Sequence, residues 1–189
     1  QLKCDSNLDL LKKLLSECSC IIEEIVDFST EVSLVCARQD DNNIIFYPLI
    51  ENFHKNGILR YSKFPYINRD LQDTAERYGK ELLNYFEYVG VLVIEFFVSK
   101  GGKLVANEIA PRVHNSGHLT MNSHNISQFE NHIRAVCNLE KIETKKLYNA
   151  KMINLIGNDI TPYRNKTFKD NEFFYDYLKT EIKNKRKMG

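Results

Sequence analysis

The sequence has 189 residues, of which 43% are hydrophobic and 11% aromatic, enough apolar material for a packed core. Its 26 basic and 25 acidic residues leave a net charge of +1, which argues against a partner such as nucleic acid or a membrane surface. The sequence contains no apolar run of about 18 residues, so no membrane span is predicted, and no signal peptide follows Gln1. The length fits one domain or parts of two, and the start at Gln1 suggests a piece of a longer protein.

Cysteine usage predicts the redox compartment. The five cysteines are odd in number and contain no CxxC pair. Cys18 and Cys20 are too close together for a zinc knuckle, and no histidine lies near them. We therefore expect free thiols in a reducing cytosol, which predicts a cytoplasmic protein.

The first third of the chain predicts one helix and several strands. Leucines at helical spacing predict a helix over residues 7–17. Apolar and β-branched runs predict strands over residues 20–26, 30–38, 44–52 and 58–61. Because only short turn segments separate these strands, we expect an antiparallel sheet.

The rest of the chain predicts two more helices, over residues 69–88 and 127–139, and a strand within residues 147–157. Residues 173–179 are aromatic and fit either a strand or a helix. A charged stretch at 140–146 separates a large α+β unit, residues 1–143, from a small β-rich C-terminal module, residues 144–189.

A hairpin at residues 89–110 carries the strongest chemical signal. Gly101 and Gly102 lie between two apolar runs and predict a two-residue turn in which both have positive φ. That turn places Glu95 opposite Glu108, with Cβ atoms roughly 5 Å apart. Facing carboxylates repel unless a cation or proton lies between them, and oxygen ligands of this kind suit magnesium. Solvent-facing carboxylates or a different turn are the alternatives.

A polar loop, PRVHNSGH at residues 111–118, follows the second strand of this hairpin. Arginine offers a fork of donors for carboxylate or phosphate oxygens, and histidine, asparagine and serine add hydrogen-bonding and proton-transfer groups. An ordinary connection does not need this density of polar chemistry. The loop and the carboxylates together predict a site for a metal and a nucleotide.

Several motifs resemble one known family. EEIV at residues 23–26, a glutamate at 31, a histidine at 54 and the paired strand glutamates follow the order of an ATP-grasp fold. NEIAPRVHNSGH, SQFENHIRA, YPLIENFHKNGIL and the closing RKMG make the resemblance closer. The chain resembles carboxyaminoimidazole ribonucleotide synthetase, the ATPase subunit of phosphoribosylaminoimidazole carboxylase, over nearly its whole length. The implied fold is an ATP-grasp antiparallel sheet with flanking helices.

The resemblance implies a residue set for MgATP. The magnesium ligands, for which Mn²⁺ is an alternative ion, would be Glu95 and Glu108. The remaining ATP contacts would come from the adenine hinge, the ribose carboxylate, an approaching histidine and the residue beside the metal: Glu23, Glu24, Ile25, Val26, Glu31, His54 and Asn107. Read alone, the hinge glutamates fit strand-edge charges, and His54 fits a surface histidine.

The resemblance also implies the acceptor side. Arg112 would stabilise bicarbonate and carboxyphosphate, and His114 would act with it in catalysis, besides lining the aminoimidazole side with the two residues that follow it. Asn115 and Ser116 would line the aminoimidazole side, and Lys179 and Arg186 would bind the ribonucleotide phosphate. Read alone, Arg112 fits a structural ion pair and the basic tail a solvated face.

The implied reaction is ATP-dependent carboxylation of aminoimidazole ribonucleotide by bicarbonate in purine biosynthesis, through carboxyphosphate. The family further implies a homodimer. Its N-terminal nucleotide-fold domain is absent from these 189 residues, so we expect little activity from the chain alone. The alternatives are an ATP-grasp ligase with a different acceptor, or a non-catalytic module that keeps the fold.

Overall fold

A computed structural model describes residues 8–17, 19, 21, 23–40 and 43–189. The helices are α1 (Leu8–Glu17), α2 (Arg69–Tyr85), α3 (Thr120–Ser123), α4 (Gln128–Val136) and α5 (Thr161–Arg164), with 3-10 turns at Asn115–Leu119 and Gly157–Ile160. The strands are β1 (Phe28–Arg38), β2 (Ile44–Phe46), β3 (Ile50–Lys55), β4 (Ile58–Phe64), β5 (Gly90–Ser99), β6 (Leu104–Ala110) and β7 (Ala150–Ile153). Within the described residues, no helix has the length and apolarity needed to cross a bilayer.

The strands of the described chain form one antiparallel sheet in the order β6-β5-β1-β3-β4-β7, with β2 paired to the end of β1. β1 lies at its centre, paired with β5 along almost its whole length and with β3 near its start. This mixed α/β architecture with an antiparallel sheet confirms the fold class predicted from the sequence.

Each face of the sheet has its own apolar core. On one face, α2 packs its buried Leu71, Ala75 and Leu83 against residues of β1 and β5. On the other face, Val35, Tyr47 and neighbouring residues pack beneath the segment that follows β6. Side chains alternate between the two faces of the sheet along each strand. This second face therefore also carries polar side chains, which lie beyond the edge of the apolar core. The candidate site is there.

The hairpin turn differs from the prediction. Ser99 N–H donates to Lys103 O at 2.9 Å and Gly102 N–H donates to Ser99 O at 2.8 Å, so the loop has three residues rather than two. Only Gly102 of the glycine pair has positive φ, at 75°. A three-residue loop closed by a left-handed glycine is a common hairpin connection.

A bulge in β6 compensates for that one-residue difference. The strands pair Phe96 with Ala106 and then Glu95 with Glu108, which leaves Asn107 without a directly opposed residue. Without the bulge, Asn107 would face Glu95, and Glu108 would point to the opposite side of the sheet. The predicted pairing of Glu95 with Glu108 is therefore confirmed, although the predicted turn is wrong.

Two strand predictions near the N-terminus are wrong in part. Residues 23–27 form neither helix nor strand, and residues 18, 20 and 22 lie outside the described residues. The strand predicted over residues 44–52 is divided into β2 and β3. Pro48 lies in the interruption and has no N–H to donate to a neighbouring strand. The predicted helix over residues 7–17 is present as α1, while its first residue, Asn7, lies outside the described residues.

The C-terminal segment is less regular than the β-rich module predicted for it. Its one strand among the described residues, β7, pairs with β4 at the edge of the main sheet. A single bridge joins Ile156 to Lys187. Residues 173–179 form neither a strand nor a helix. Leu155, Ile160 and Met188 instead form a small separate core, so side-chain packing holds this segment.

Two cysteines can be compared with the prediction. Cys36 is a buried free thiol in β1, and Cys137 is an exposed free thiol after α4. Burial raises the pKa of the Cys36 thiol far above its usual range, so it stays protonated. The other cysteines lie outside the described residues.

Candidate active site

The centre of the site is the carboxylate pair of the β5–β6 hairpin. The Glu95 side chain is only 12% exposed, whereas Glu108 is an exposed residue of the edge strand. Among the described residues, Oε1 of Glu95 is buried and has no hydrogen-bond partner. Burial, together with the charges of Glu108 and Glu31, raises the pKa of Glu95 despite the opposing charges of His54 and Arg112. This oxygen lacks the compensation that a buried carboxylate needs.

A second acidic group, Glu31, lies beside this pair on the next strand and contacts a histidine. Glu31 on β1 lies opposite Asn52 on β3, and its carboxylate forms a hydrogen-bonded ion pair with Nδ1 of His54. Burial lowers the pKa of His54, but the Glu31 bond and the charges of Glu31, Glu95 and Glu108 outweigh it, so the pKa is raised. The structure thus brings His54 into the electrostatic field of three carboxylates.

The polar loop delivers His114 to the other side of the carboxylates. His114 Nδ1 lies 3.6 Å from Glu95 Oε1 and 3.0 Å from the hydroxyl of Ser116. Burial and the nearby charge of Arg112 lower the pKa of His114. At neutral pH the ring is therefore an uncharged imidazole that can accept a proton or a hydrogen bond.

Arg112 is exposed at the entrance of the loop, where it donates to the Val113 carbonyl at 3.0 Å. Its charge lowers the pKa of both Glu95 and His114, although burial has the larger influence on each. Arg112 is therefore close to both groups. No ion pair is formed by its guanidinium within the described residues, so the structural ion pair considered from the sequence is not what positions it.

Gln128, a residue that the sequence did not single out, fixes the backbone of this loop. Its amide accepts from His114 N–H at 3.0 Å and donates to the His114 carbonyl at 2.7 Å, although the side chain is fully buried. Gly117 lies against the same amide, so a Cβ atom there would overlap Gln128 Oε1 and lie 2.7 Å from its Cδ. Helix α4 thus sets the position of His114, and the glycine makes the close approach possible.

Within the described residues, no hydrogen bond or ion pair joins the predicted adenine hinge to the carboxylates. Glu23, Glu24 and Ile25 are exposed, and Val26 is half-buried. The chain directly after them is anchored to the hairpin, because Asp27 forms an ion pair with Lys100 at 2.7 Å. In addition, Phe28 stacks on Phe97 with ring centroids 4.5 Å apart.

Lys179 and Arg186, the predicted phosphate pair, each contact other residues of the C-terminal segment. Arg186 faces Glu181, at 3.2 Å from its carbonyl oxygen and 3.8 Å from its carboxylate. Lys179 donates to the Lys187 carbonyl at 2.7 Å. Lys187, which the sequence reading treated as part of a solvated basic run, instead contacts Asn115 and His118 of the polar loop. Its place within the RKMG motif is the signal that could have identified it.

The antiparallel sheet, the facing carboxylates and the donor-rich loop define an ATP-grasp type of protein. The family model described as ATP-grasp domain matches residues 3–129, and the chain belongs to that family. The model described as Phosphoribosylaminoimidazole carboxylase C-terminal domain matches residues 150–189. Together these matches confirm the resemblance found in the sequence.

The similar proteins are more specific than the domain family. N5-carboxyaminoimidazole ribonucleotide synthase of Brucella melitensis is 43% identical over 176 residues, covering 93% of this chain and 49% of that protein. The Escherichia coli protein of the same name is 43% identical over 174 residues, covering 90% and 45%. The crystal structure of N5-carboxyaminoimidazole synthetase from Staphylococcus aureus complexed with ADP matches with a TM-score of 0.84 and 34% identity, covering 97% of this chain and 51% of that one. The chain spans about half the length of the curated relatives it matches.

Proposed function

We propose that this chain supplies the metal-binding and carboxylating part of an enzyme that carboxylates aminoimidazole ribonucleotide with ATP and bicarbonate. The observation that carries the proposal is the register of β5 and β6, which sets Glu95 opposite Glu108 beside His54 and His114. The relatives named N5-carboxyaminoimidazole ribonucleotide synthase support this choice of reaction. We further propose that residues 1–143 form the ATP-grasp unit and residues 144–189 a second unit.

The donor set fits a divalent cation of the hard type. Within the described residues no cluster of three or more histidine, cysteine or acidic side chains has metal-ligand geometry. Magnesium does not need such a cluster, because it commonly takes one or two carboxylates and completes its shell with phosphate oxygens and water. That pair is provided by the facing Glu108 and by Glu95, whose buried Oε1 has no hydrogen bond from a described residue. When bound there, Mg²⁺, or Mn²⁺ in its place, would neutralise charge on the phosphates.

The strands beside the metal pair would hold the nucleotide. Glu31 presents a carboxylate that can accept hydrogen bonds from ribose hydroxyls, and His54, held by Glu31, would present its ring near the phosphates. Asn107, the bulge residue, lies beside Glu108 on the edge strand. Backbone groups of residues 23–26 would bond the edge of adenine.

The loop after β6 would hold the acceptor. Arg112 carries a rigid fork of guanidinium donors, so it would stabilise the oxygens of bicarbonate and carboxyphosphate. His114 is uncharged at neutral pH because burial and Arg112 lower its pKa, so it can accept the proton that the acceptor amine loses on carboxylation. Asn115 and Ser116 would line the aminoimidazole side, and Lys179 and Arg186 would bind the ribonucleotide phosphate.

The bicarbonate, ATP and ribonucleotide substrates, together with the free thiols of Cys36 and Cys137, support a cytoplasmic setting.

The first prediction tests the metal pair by calorimetry of MgATP binding to this chain. Glu108→Gln keeps the shape of the side chain but removes its charge, so the affinity for MgATP should fall by about tenfold or more, the effect of losing one charged contact. Glu51→Gln is the matched control, because Glu51 lies on β3 in a partly exposed ion pair with Lys63, and its change should leave binding unchanged. Equal binding by the wild-type and Glu108→Gln proteins would contradict the enzyme assignment and favour a non-catalytic module.

A further inference from the structure

Lys187 reaches back over 72 residues to the polar loop. Its ammonium group donates to the side-chain oxygen of Asn115 and lies 3.2 Å from Nδ1 of His118. The residue is mostly buried, and burial together with the charge of Lys179 lowers its pKa to about 8. A lysine that is drawn out of water in this way needs well-placed acceptors, and these two loop side chains provide them.

The direction of these hydrogen bonds determines what the loop can offer to a ligand. An ammonium group has donors only, so the Asn115 atom that faces it must be the carbonyl oxygen. The NH₂ group of Asn115 is therefore left to donate elsewhere. For the same reason Nδ1 of His118 must carry a lone pair, which assigns the proton of the neutral ring to Nε2.

Other side chains of the C-terminal segment strengthen the same connection. The hydroxyl of Tyr177 lies 3.3 Å from Nδ1 of His118, and the hydroxyl of Tyr175 donates to Asn122 at 3.0 Å. The ammonium groups of Lys179 and Lys187 lie 5.3 and 5.4 Å from the centre of the Tyr177 ring, within cation–π range. Burial and the charges of Lys187 and His114 lower the pKa of His118 to about 4, so the ring is neutral at pH 7.

We propose that Lys187 is a positioning residue of the acceptor site, which fixes Asn115 as a hydrogen-bond donor and His118 as the Nε2–H tautomer. The ligand class that this arrangement fits is an acceptor-rich group, such as the oxygens of a phosphorylated ribose or a carboxamide-like edge. The ligand part of the inference rests on the proposed function, whereas the orientation of the two loop side chains follows from the contacts alone. Lys187 acts through Asn115 and His118 rather than on the reacting atoms.

The first test measures the His118 ring by ¹⁵N NMR in the ligand-free chain, so it does not depend on the proposed reaction. In the wild-type chain the Nε2–H tautomer should persist down to a pKa of about 4. Lys187→Met should raise that pKa by roughly one unit and mix the tautomers, because both the charge and the donor are lost. Lys187→Arg restores a charged donor and should restore both signals. A His118 ring that behaves identically in the wild-type and Lys187→Met chains would overturn the inference.

Matched variants separate positioning from a general loss of structure. Lys183→Met removes a lysine of the same segment that is paired with Glu181 at the surface, and it should leave His118 unchanged. Tyr177→Phe removes the other polar neighbour of Nδ1 but keeps Lys187, so the tautomer should persist even if this part of the fold loosens. A loss of the Nε2–H tautomer in Tyr177→Phe equal to that in Lys187→Met would count against Lys187 as its determinant.

The second test is calorimetry with aminoimidazole ribonucleotide as the probe. Lys187→Met should weaken its binding by about tenfold, with Lys187→Arg intermediate and MgATP binding unchanged. Wild-type affinity retained in Lys187→Met, with His118 altered, would refute the role in ligand binding. A wild-type chain that binds MgATP but not the ribonucleotide would instead refute the acceptor assigned under the proposed function, and the NMR result would still decide the role of Lys187.

Discussion

Glu95 lies in a position that suits a metal ligand. The same buried position is unfavourable for a carboxylate that has no cation beside it. Its Oε1 is buried without a hydrogen bond from any described residue, and its pKa is raised by burial and by neighbouring carboxylates. A carboxyl group whose pKa is raised by folding reduces the free energy of unfolding at pH values above its unfolded-state pKa. Buried residues with a strongly perturbed pKa are common at functional sites.

We therefore predict that Glu95→Gln increases stability while it weakens metal binding. The neutral amide removes the buried charge, so the free energy of unfolding at pH 7 should rise by about 1 kcal/mol. Urea denaturation without metal measures this change, and MgATP calorimetry measures the loss. At pH 4, where the wild-type carboxyl group is largely protonated, the two proteins should differ less. A Glu95→Gln protein that is less stable than wild type at pH 7 would show that this charge does not oppose folding.

Gly117 carries a second prediction at the scale of single residues. In Gly117→Ala the new methyl group would overlap the buried Gln128 amide, which bonds both backbone groups of His114. The free energy of unfolding should fall by about 1–3 kcal/mol, the usual effect of overpacking. Gly101→Ala is the control, since its Cβ would lie no closer than 3.8 Å to Ser99 and should cost little. Thermal denaturation of both variants checks the difference, and equal melting temperatures would contradict it.

The β-bulge at Asn107 is the element that decides which side of the sheet Glu108 faces. The exchange Asn107→Glu with Glu108→Asn keeps composition and net charge but moves the carboxylate to the residue that is not opposed across the hairpin. We predict that the folded exchange variant binds MgATP about tenfold more weakly than wild type or worse. Calorimetry measures the affinity, and circular dichroism confirms that the strands remain. Unchanged affinity would mean that position 107 can also direct a carboxylate to the metal.

Much of this hairpin could be predicted from the sequence, and the part that could not has a physical cause. Alternation of apolar residues shows that two strands meet at Gly101 and Gly102, but it does not distinguish a two-residue from a three-residue loop. Nor does it reveal that an extra residue in β6 restores the pairing of Glu95 with Glu108. The pairing was predicted correctly because two one-residue errors cancelled.

Other elements show the same limit. Residues 20–26 contain the β-branched and apolar residues of a strand, yet composition alone cannot supply a hydrogen-bonding neighbour, and residues 23–26 form no strand in the structure. Lys187 was overlooked because a basic run is usually a solvated face. Its partners, Asn115 and His118, are about 70 residues away in sequence, and only the tertiary structure brings them together.

On the scale of the whole molecule, the buried histidines predict how stability depends on pH. Burial and nearby lysine charges lower the pKa of both His118 and His124 to about 4. The unfolded chain therefore binds more protons than the folded one between pH 6.5 and 4, so stability should fall as the pH is lowered through this window. The expected slope is about 1.4 kcal/mol per pH unit for each of the two histidines, in the part of the window where the unfolded ring is protonated and the folded ring is not.

His54 does not oppose this trend between pH 6.5 and 4, because its raised pKa makes its contribution to stability complete below pH 6.5 and lost only at higher pH. Urea denaturation at intervals between pH 7 and 4.5 tests the net slope, and NMR titration of each ring assigns the groups that cause it. Stability that is constant or increases on acidification over this range would contradict the prediction.

Two contacts of the C-terminal segment also govern the order in which the molecule folds. They are the pairing of β7 with β4 and the contact of Lys187 with the loop after β6. Phe64 pairs with Ala150, and the side chain of Asn115 accepts a hydrogen bond from Lys187, 72 residues later in the chain. During synthesis on the ribosome, the metal pair can form once the β5–β6 hairpin has emerged, whereas the ring of His118 acquires its final tautomer only after residue 187 has been translated. A nascent chain arrested between these two points would have Glu95 and Glu108 in register, while His118 would still lack its contact with Lys187.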